Sequence, residues 1–119
     1  MFFFRLNLYC LVDREMLVFF LIRKEEEERA KEKEEQVKLE LEKFDRFLKL
    51  KEFNIALECS ERALRIDSNS DQALSRKGRA LNNLERNDEA ILCCEKALSL
   101  NPKNALAIFV KGNVFLVSE

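Results

Sequence analysis

Apolar residues recur at helical spacing from residue 37 to the end of the sequence. The first stripe has intervals of four, three and four positions, which is the spacing of one helix face. It consists of Val37, Leu41, Phe44 and Leu48. Similar patterns follow, separated by short polar turns, and few glycines or prolines interrupt them. The pattern predicts an all-α protein with helices over residues 37–50, 53–66, 71–84, 87–100 and 105–117.

Residues at the turns are suited to starting and ending these helices. Ser70, Asn87 and Asn104 have side chains that can accept hydrogen bonds from the first free backbone amides of a helix. Two acidic residues follow Asn87, where negative charge suits the helix dipole. Pro102 cannot continue a helix, so the fourth helix is expected to end before it.

Much of this region repeats in sequence at an interval of 34 residues. The only two glycines, Gly78 and Gly112, are 34 positions apart, and each follows a lysine. Fixed periods of about 20–50 residues are typical of stacked repeats, in which each unit covers its neighbour's apolar face. The interval predicts repeat units at 37–70 and 71–104 and a partial unit at 105–119. It also relates Ala56 to Ala90, Cys59 to Cys93, Glu61 to Glu95, Ala63 to Ala97 and Leu64 to Leu98.

Residues 1–22 form an apolar N-terminal segment for which we predict a helix but no transmembrane span. A span needs about 20 nearly uninterrupted apolar residues, whereas three consecutive charges, residues 13–15, interrupt this segment. Three interpretations remain open. The segment is an amphipathic helix on a membrane or a partner, a cover for the open end of the repeat stack, or an unnatural start from a fragmentary gene model.

Residues 23–36 carry a charge at 12 of 14 positions. Acid-first pairs at a spacing of four residues favour a helix: Glu25 with Arg29, Glu27 with Lys31, and Glu34 with Lys38. A run this polar has no apolar face to bury. We therefore predict a solvated helical spacer, which makes the region before the repeats a long charged helix.

Composition argues against several kinds of function. The net charge is −1 and histidine is absent, so a basic nucleic-acid-binding surface and the commonest general base and metal ligand are all lacking. The four cysteines include no C-x-x-C pair. We predict that Cys10, Cys59, Cys93 and Cys94 are buried, reduced thiols that act as small apolar residues. We also predict a cytoplasmic protein that is not an enzyme and has no cofactor, metal or nucleic-acid partner.

Residues 71–104 resemble a tetratricopeptide repeat, the 34-residue helix–turn–helix unit. Gly78 in the first helix, Ala90 and Ala97 in the second, and the closing Pro102 match the pattern. The preceding unit keeps Ala56 and Ala63 but has Phe44 in place of the glycine, and a third unit begins at Ala105 and contains Gly112. The resemblance implies a right-handed α-solenoid fragment, and we expect the small residues to lie at close helix contacts.

In this family the first helices line a concave groove that receives partner peptides. The resemblance therefore implies a protein–protein interaction module with these groove residues: Gln72, Ser75, Arg76, Arg79, Asn82, Asn83, Leu106, Phe109, Val110 and Asn113. One subclass binds acidic chaperone tails through lysines, asparagines and an arginine. This chain has Leu41, Asp45, Leu106 and Val110 at four of those positions, with Arg76 as the one matching donor, which argues against that type of binding.

Self-assembly is the alternative interpretation. The helix over 105–117 is expected to expose six apolar side chains, which suits a scaffold protein that forms a homo-oligomer through this helix or the N-terminal segment. They are Ile108, Phe109, Val114, Phe115, Leu116 and Val117. Because stable stacks usually need about three repeats, the chain is also interpreted as a possible fragment of a longer repeat protein.

Overall fold

The computed structural model describes the backbone of residues 2–117 and the side chains of residues 13–116. The expectations for Cys10 and for the Val117 side chain lie outside these residues. Throughout the described range the protein is all-α and has no strand. Its helices are α1 (Phe2–Lys49), α2 (Phe53–Ile66), α3 (Asp71–Asn83), α4 (Asn87–Leu100) and α5 (Ala105–Val117). The apolar periodicity therefore predicted α2 to α5, with α3 ending one residue earlier than expected. The helix expected over residues 37–50 is not separate: it is the last part of α1, which also includes the N-terminal segment and the charged spacer.

Two of the three expected helix caps are present. The Ser70 hydroxyl accepts a hydrogen bond from the Ala73 amide at 3.2 Å, and Asn104 Oδ1 accepts one from the Ala107 amide at 3.0 Å. The expectation for Asn87 is wrong, because Asn87 is the first residue of α4 and Arg86 precedes it without a side-chain cap.

The turn between α3 and α4 explains the displaced cap. Glu85 has a left-handed backbone conformation with φ 62°, and the Arg86 amide donates back to the Leu81 carbonyl at 2.9 Å. This hydrogen-bond pattern closes the C-terminus of α3. Because Glu85 and Arg86 both belong to it, α4 begins directly at Asn87. The turn after α1 repeats it 34 residues earlier, with Lys51 at φ 59° and a Glu52–Phe47 bond of 2.9 Å.

The chain divides into a unit from Met1 to Glu32 and a unit from Lys33 to Glu119. In the second unit, α3 contacts α2, α4 and α5, and α4 also contacts α5. The last turns of α1 join this core through Phe44, which is fully buried with Ala56, Leu57 and Leu81. A phenylalanine thus packs where the next repeat has Gly78. The helix pairs form the stacked arrangement that the 34-residue interval predicted.

The first unit consists of the N-terminal part of α1. Met16 to Ile22 are each between 51% and 68% exposed, and seven consecutive residues surround a helix on all sides. Beyond them, Arg29 and Glu25 form the expected ion pair at 3.6 Å. No helix in the described part of the chain combines the length and apolar content needed to cross a membrane.

Candidate binding surface

Helix α3 carries a stripe of polar side chains on one face. Gln72, Arg76, Arg79 and Asn83 follow one another at intervals of four, three and four residues, which is the spacing of one helix face. Gln72, Arg79 and Asn83 are exposed, while Arg76 and the neighbouring Asn82 are half-buried. These five of the ten sequence-predicted groove residues therefore lie together on the surface of α3.

Arg76 is already engaged within the protein. Its Nε donates to Asp45 Oδ1 at 3.2 Å, and its Nη1 donates to Gln72 Oε1 at 3.1 Å. The bond to Asp45 ties α3 to the end of α1, and it leaves the Arg76 side chain only 21% exposed. Arg79 makes no ion pair or hydrogen bond through its side chain within the described residues. Arg79 is thus the cation of the stripe that remains available to a ligand.

Two of the expected groove residues, Ser75 and Val110, are not on the surface. Ser75 is fully buried, and its hydroxyl donates to the Gln72 carbonyl of its own helix at 2.9 Å. Val110 is 1% exposed and packs with Leu74 and Cys94. Consecutive residues on a helix point about 100° apart, so Ser75 and Val110 point inward although their neighbours Arg76 and Phe109 reach the surface. The expectation was wrong for these two.

Helix α5 extends the surface with apolar side chains. Phe109 is 59% exposed, and Leu106 and Asn113 are half-buried. Helices α3 and α5 contact each other. The polar stripe of α3 and these residues of α5 are therefore on neighbouring helices. The candidate surface therefore changes from polar and cationic on α3 to mainly apolar on α5.

A hydrogen-bond network that the sequence analysis missed fixes the turn before α5. Asp71 Oδ2, at the start of α3, accepts from Asn101 Nδ2 and from Asn104 Nδ2, each at 3.0 Å. Asn104 is 4% exposed and also caps α5 through its other amide atom. This network holds the first turn of α5 against the first turn of α3. The 34-residue interval did not point to this network, because the positions equivalent to Asp71 are Val37 and Ala105.

Two ion pairs between successive units also repeat at the interval. Lys77 Nζ lies 3.9 Å from Glu61 Oε1, and Lys111 Nζ lies 3.7 Å from Glu95 Oε1. Each pair joins a second helix to the first helix of the next unit. Both members recur at 34 residues, so this contact had a signal in the sequence.

The small residues of the repeat pattern lie at close contacts, with one exception. A Cβ added at Gly78 would be 2.7 Å from Cys94 Sγ and 3.2 Å from the Ala90 carbonyl oxygen. The four repeat-packing alanines are fully buried: Ala56, Ala63, Ala90 and Ala97. Pro102 is exposed, just after the end of α4. At Gly112, no described atom lies within 4 Å of an added Cβ.

The thiols are packing groups. Cys59 and Cys94 are buried, Cys93 is half-buried, and none of these three forms a disulfide. Burial raises the pKa of all three, that of Cys94 to about 11. These thiols are therefore protonated at neutral pH and are poor nucleophiles. Among the described residues, no group of three or more histidine, cysteine or acidic side chains could hold a metal ion.

Comparisons with known proteins agree with the repeat architecture. The sequence model of the family described as Tetratricopeptide repeat matches residues 72–104. Among solved structures, the chain is similar to the first TPR of Spaghetti (RPAP3) bound to the HSP90 peptide SRMEEVD, with a TM-score of 0.64 and 25% identity. Both findings identify a tetratricopeptide-repeat fold in this chain.

The structural similarity covers about two thirds of each chain. The match to Spaghetti covers 68% of this chain and 64% of that chain. A search of curated proteins gives no match. The matched repeat and the helix packing both support a protein-interaction module of a kind that is typically non-catalytic.

Proposed function

We propose that this chain binds a segment of a partner protein along the surface of α3 and α5, and that it has no catalytic role of its own. The observation that carries the proposal is the exposed Arg79, whose side chain has no partner among the described residues and which lies in a stripe of amide side chains beside the apolar residues of α5. A guanidinium and side-chain amides can bind carboxylates and a peptide backbone. An exposed aromatic ring such as Phe109 supplies an apolar anchor.

The same residues favour one kind of ligand. Arg79 can bind a carboxylate of the ligand. Leu106 and Phe109 can pack against an apolar side chain of the ligand near that carboxylate. Leu41 is 9% and Val110 1% exposed, so neither position supplies a cation for a terminal carboxylate. Arg76 is already paired with Asp45. The ligand that fits is a peptide with internal acidic residues and at least one apolar side chain, recognised without its C-terminal carboxylate.

The peptide SRMEEVD, bound by the structurally similar domain of Spaghetti, is a suitable probe because it combines acidic and apolar side chains. We expect it to bind the full chain and to shift amide resonances of α3 and α5. Amidation of its C-terminus is expected to leave the affinity nearly unchanged. Replacing its two glutamates by glutamines is expected to weaken binding about tenfold, the loss of one charge-assisted contact.

Variants of the protein give the matching test. Arg79→Ala and Phe109→Ala are each expected to weaken SRMEEVD binding about tenfold, as truncation of an arginine or aromatic anchor does. Arg65→Ala removes an exposed arginine from α2, and it should have no effect. If Arg65→Ala and Arg79→Ala lower the affinity equally, the peptide is held by non-specific charge attraction and not by Arg79. Absence of binding, or shifts confined to other helices, would overturn the proposal.

A further inference from the structure

Arg76 and Arg79 are neighbours on the polar stripe of α3, but only one of them is available to a ligand. Residues three positions apart on a helix lie on the same face, with Cβ atoms about 5–6 Å apart. Arg79 is exposed and has no side-chain partner among the described residues. Arg76 is paired with Asp45 of α1 and is 21% exposed. The surface therefore has two cations on one face and presents one of them.

The contacts of Arg76 occupy the donors that a ligand would need. A guanidinium binds a carboxylate most strongly through two parallel N–H bonds, made either by Nε and Nη2 or by Nη1 and Nη2. Asp45 Oδ1 accepts from Nε at 3.2 Å, and Gln72 Oε1 accepts from Nη1 at 3.1 Å. Each of the two donor pairs thus has one nitrogen already engaged. A carboxylate that approaches Arg76 also meets the negative charge of Asp45, whose side chain is 52% exposed.

A ligand would gain little by displacing Asp45 from Arg76. The new ion pair would replace an existing one of the same kind, so the number of charge-assisted bonds would not change. The released Asp45 carboxylate would remain beside the bound acid, and like charges at such a distance repel. Gln72 differs, because a neutral amide can turn away without leaving a charge unpaired. Asp45 therefore decides whether Arg76 takes part in binding.

We propose that Asp45 determines the specificity of the α3–α5 surface, because it keeps Arg76 paired and so limits the surface to one acidic side chain of a peptide. The inference rests on the proposed function, since it concerns the same surface and the same class of ligand. With Asp45 in place, one glutamate binds at Arg79 and a second contributes little. Without the Asp45 charge, Arg76 and Arg79 together bind two neighbouring glutamates.

The test compares peptides that differ by one glutamate. SRMEEVD with an amidated C-terminus is titrated into the full chain at low ionic strength, where charge contacts are screened least. Two further peptides each have one of its glutamates replaced by glutamine. The unmodified chain is expected to bind the three peptides with nearly equal affinity. The Asp45→Asn chain is expected to bind SRMEEVD about tenfold more tightly than either single-glutamate peptide, which is the gain of one charge-assisted contact.

Further variants show whether this selectivity comes from Arg76. Asp45→Glu keeps a carboxylate that can pair with Arg76, so it should bind the three peptides as the unmodified chain does. Asp88→Asn removes the same charge from an exposed position on α4, and it should create no preference for two glutamates. In an Arg76→Ala background, Asp45→Asn should also create none. The Tm of Asp45→Asn is expected to fall by a few degrees at most, because partly exposed ion pairs contribute little to stability.

Several results would overturn the inference. One is an unmodified chain that already prefers two glutamates as strongly as the Asp45→Asn chain does, since Arg76 would then bind a ligand despite Asp45. Another is an equal preference in Asp45→Asn and Asp88→Asn, which would assign the effect to net charge. If SRMEEVD binds in a manner that depends on Arg79 but Asp45→Asn gains no selectivity, the inference fails while the proposed function stands. If neither chain binds any of the peptides, the proposed function fails and this inference fails with it.

Discussion

Helices α3 and α5 carry the same lysine–glycine pair, and the two glycines have opposite surroundings. At Gly78 an added Cβ would meet Cys94 Sγ at 2.7 Å, whereas at Gly112 it would meet no described atom within 4 Å. The lysines before them have similar surroundings, since each pairs with a glutamate of the preceding second helix. A repeated sequence thus repeats the contacts made backward along the stack. The contact made forward differs, because α4 packs against Gly78 whereas no described helix packs against Gly112.

The end of α1 adds a third case at the same repeat position. Phe44 stands where the later repeats have glycine, and it is fully buried against Ala56 and Leu81. This position therefore accepts either a large apolar side chain or none, provided that the helix opposite presents small residues. Alanine is common to both solutions, as Ala56 and as Ala90.

The largest expected effect comes from removing the large side chain of the first case. Phe44→Ala should lower the free energy of unfolding by about 3–5 kcal/mol, because it deletes a fully buried ring and leaves a cavity. Denaturant unfolding of the full chain measures this. Phe19→Ala is the control, since Phe19 is 68% exposed and its loss should change stability by less than about 0.5 kcal/mol. Equal effects of the two variants would show that Phe44 is not a core residue.

Filling the close contact is expected to have the next largest effect. Gly78→Ala gains about 1 kcal/mol of helix propensity, but overpacking costs about 1–3 kcal/mol. The added methyl group would also press against the Ala90 carbonyl oxygen, and only a shift of the backbone relieves that contact. We therefore expect a net loss of stability and a lower Tm. In a Cys94→Ala background the nearest atom is absent, and the loss should shrink. A higher Tm for Gly78→Ala alone would contradict close packing at this glycine.

Placing glycine in a strained turn tests whether the glycines of this chain serve close packing or backbone conformation. Neither glycine has a positive φ, whereas Lys51 and Glu85 do, at 59° and 62°. Left-handed conformation costs a non-glycine residue about 1 kcal/mol or more, so Glu85→Gly should raise the free energy of unfolding by up to about 1 kcal/mol. Glu58→Gly, in the middle of α2, should lower it by a similar amount. Thermal unfolding compares them, and a loss of stability for Glu85→Gly would show that strain is absent.

Gly112→Ala is the direct counterpart of Gly78→Ala. With no described neighbour to displace, the variant should gain up to about 1 kcal/mol from helix propensity. Its Tm should rise while that of Gly78→Ala falls. Two changes of the same sign would remove the difference between α3 and α5 on which the comparison rests.

The sequence predicted the helices well and the surface less well, for physical reasons. Apolar spacing determines which helix face is buried, so α2 and α4 begin and end where the pattern indicated. Whether Ser75 faces a ligand or its own helix depends on side-chain hydrogen bonding, which spacing does not encode. Arg76 fitted a ligand-binding position, yet its partner Asp45 lies 31 residues away in another helix. Val114 was expected on the surface and is buried, because α5 also packs against the core around Phe44.

The smallest expected effects are those of the two repeated ion pairs. A double-mutant cycle on Lys77 and Glu61, and another on Lys111 and Glu95, should each give a coupling energy of about 0.2–1 kcal/mol. Both pairs are partly exposed and have similar distances, 3.9 and 3.7 Å, so the two couplings should be equal within error and fall at high salt. If coupling is measurable for Lys77 and absent for Lys111, α5 is held less firmly than α3. The difference between the two helices would then extend to the contacts made backward along the stack.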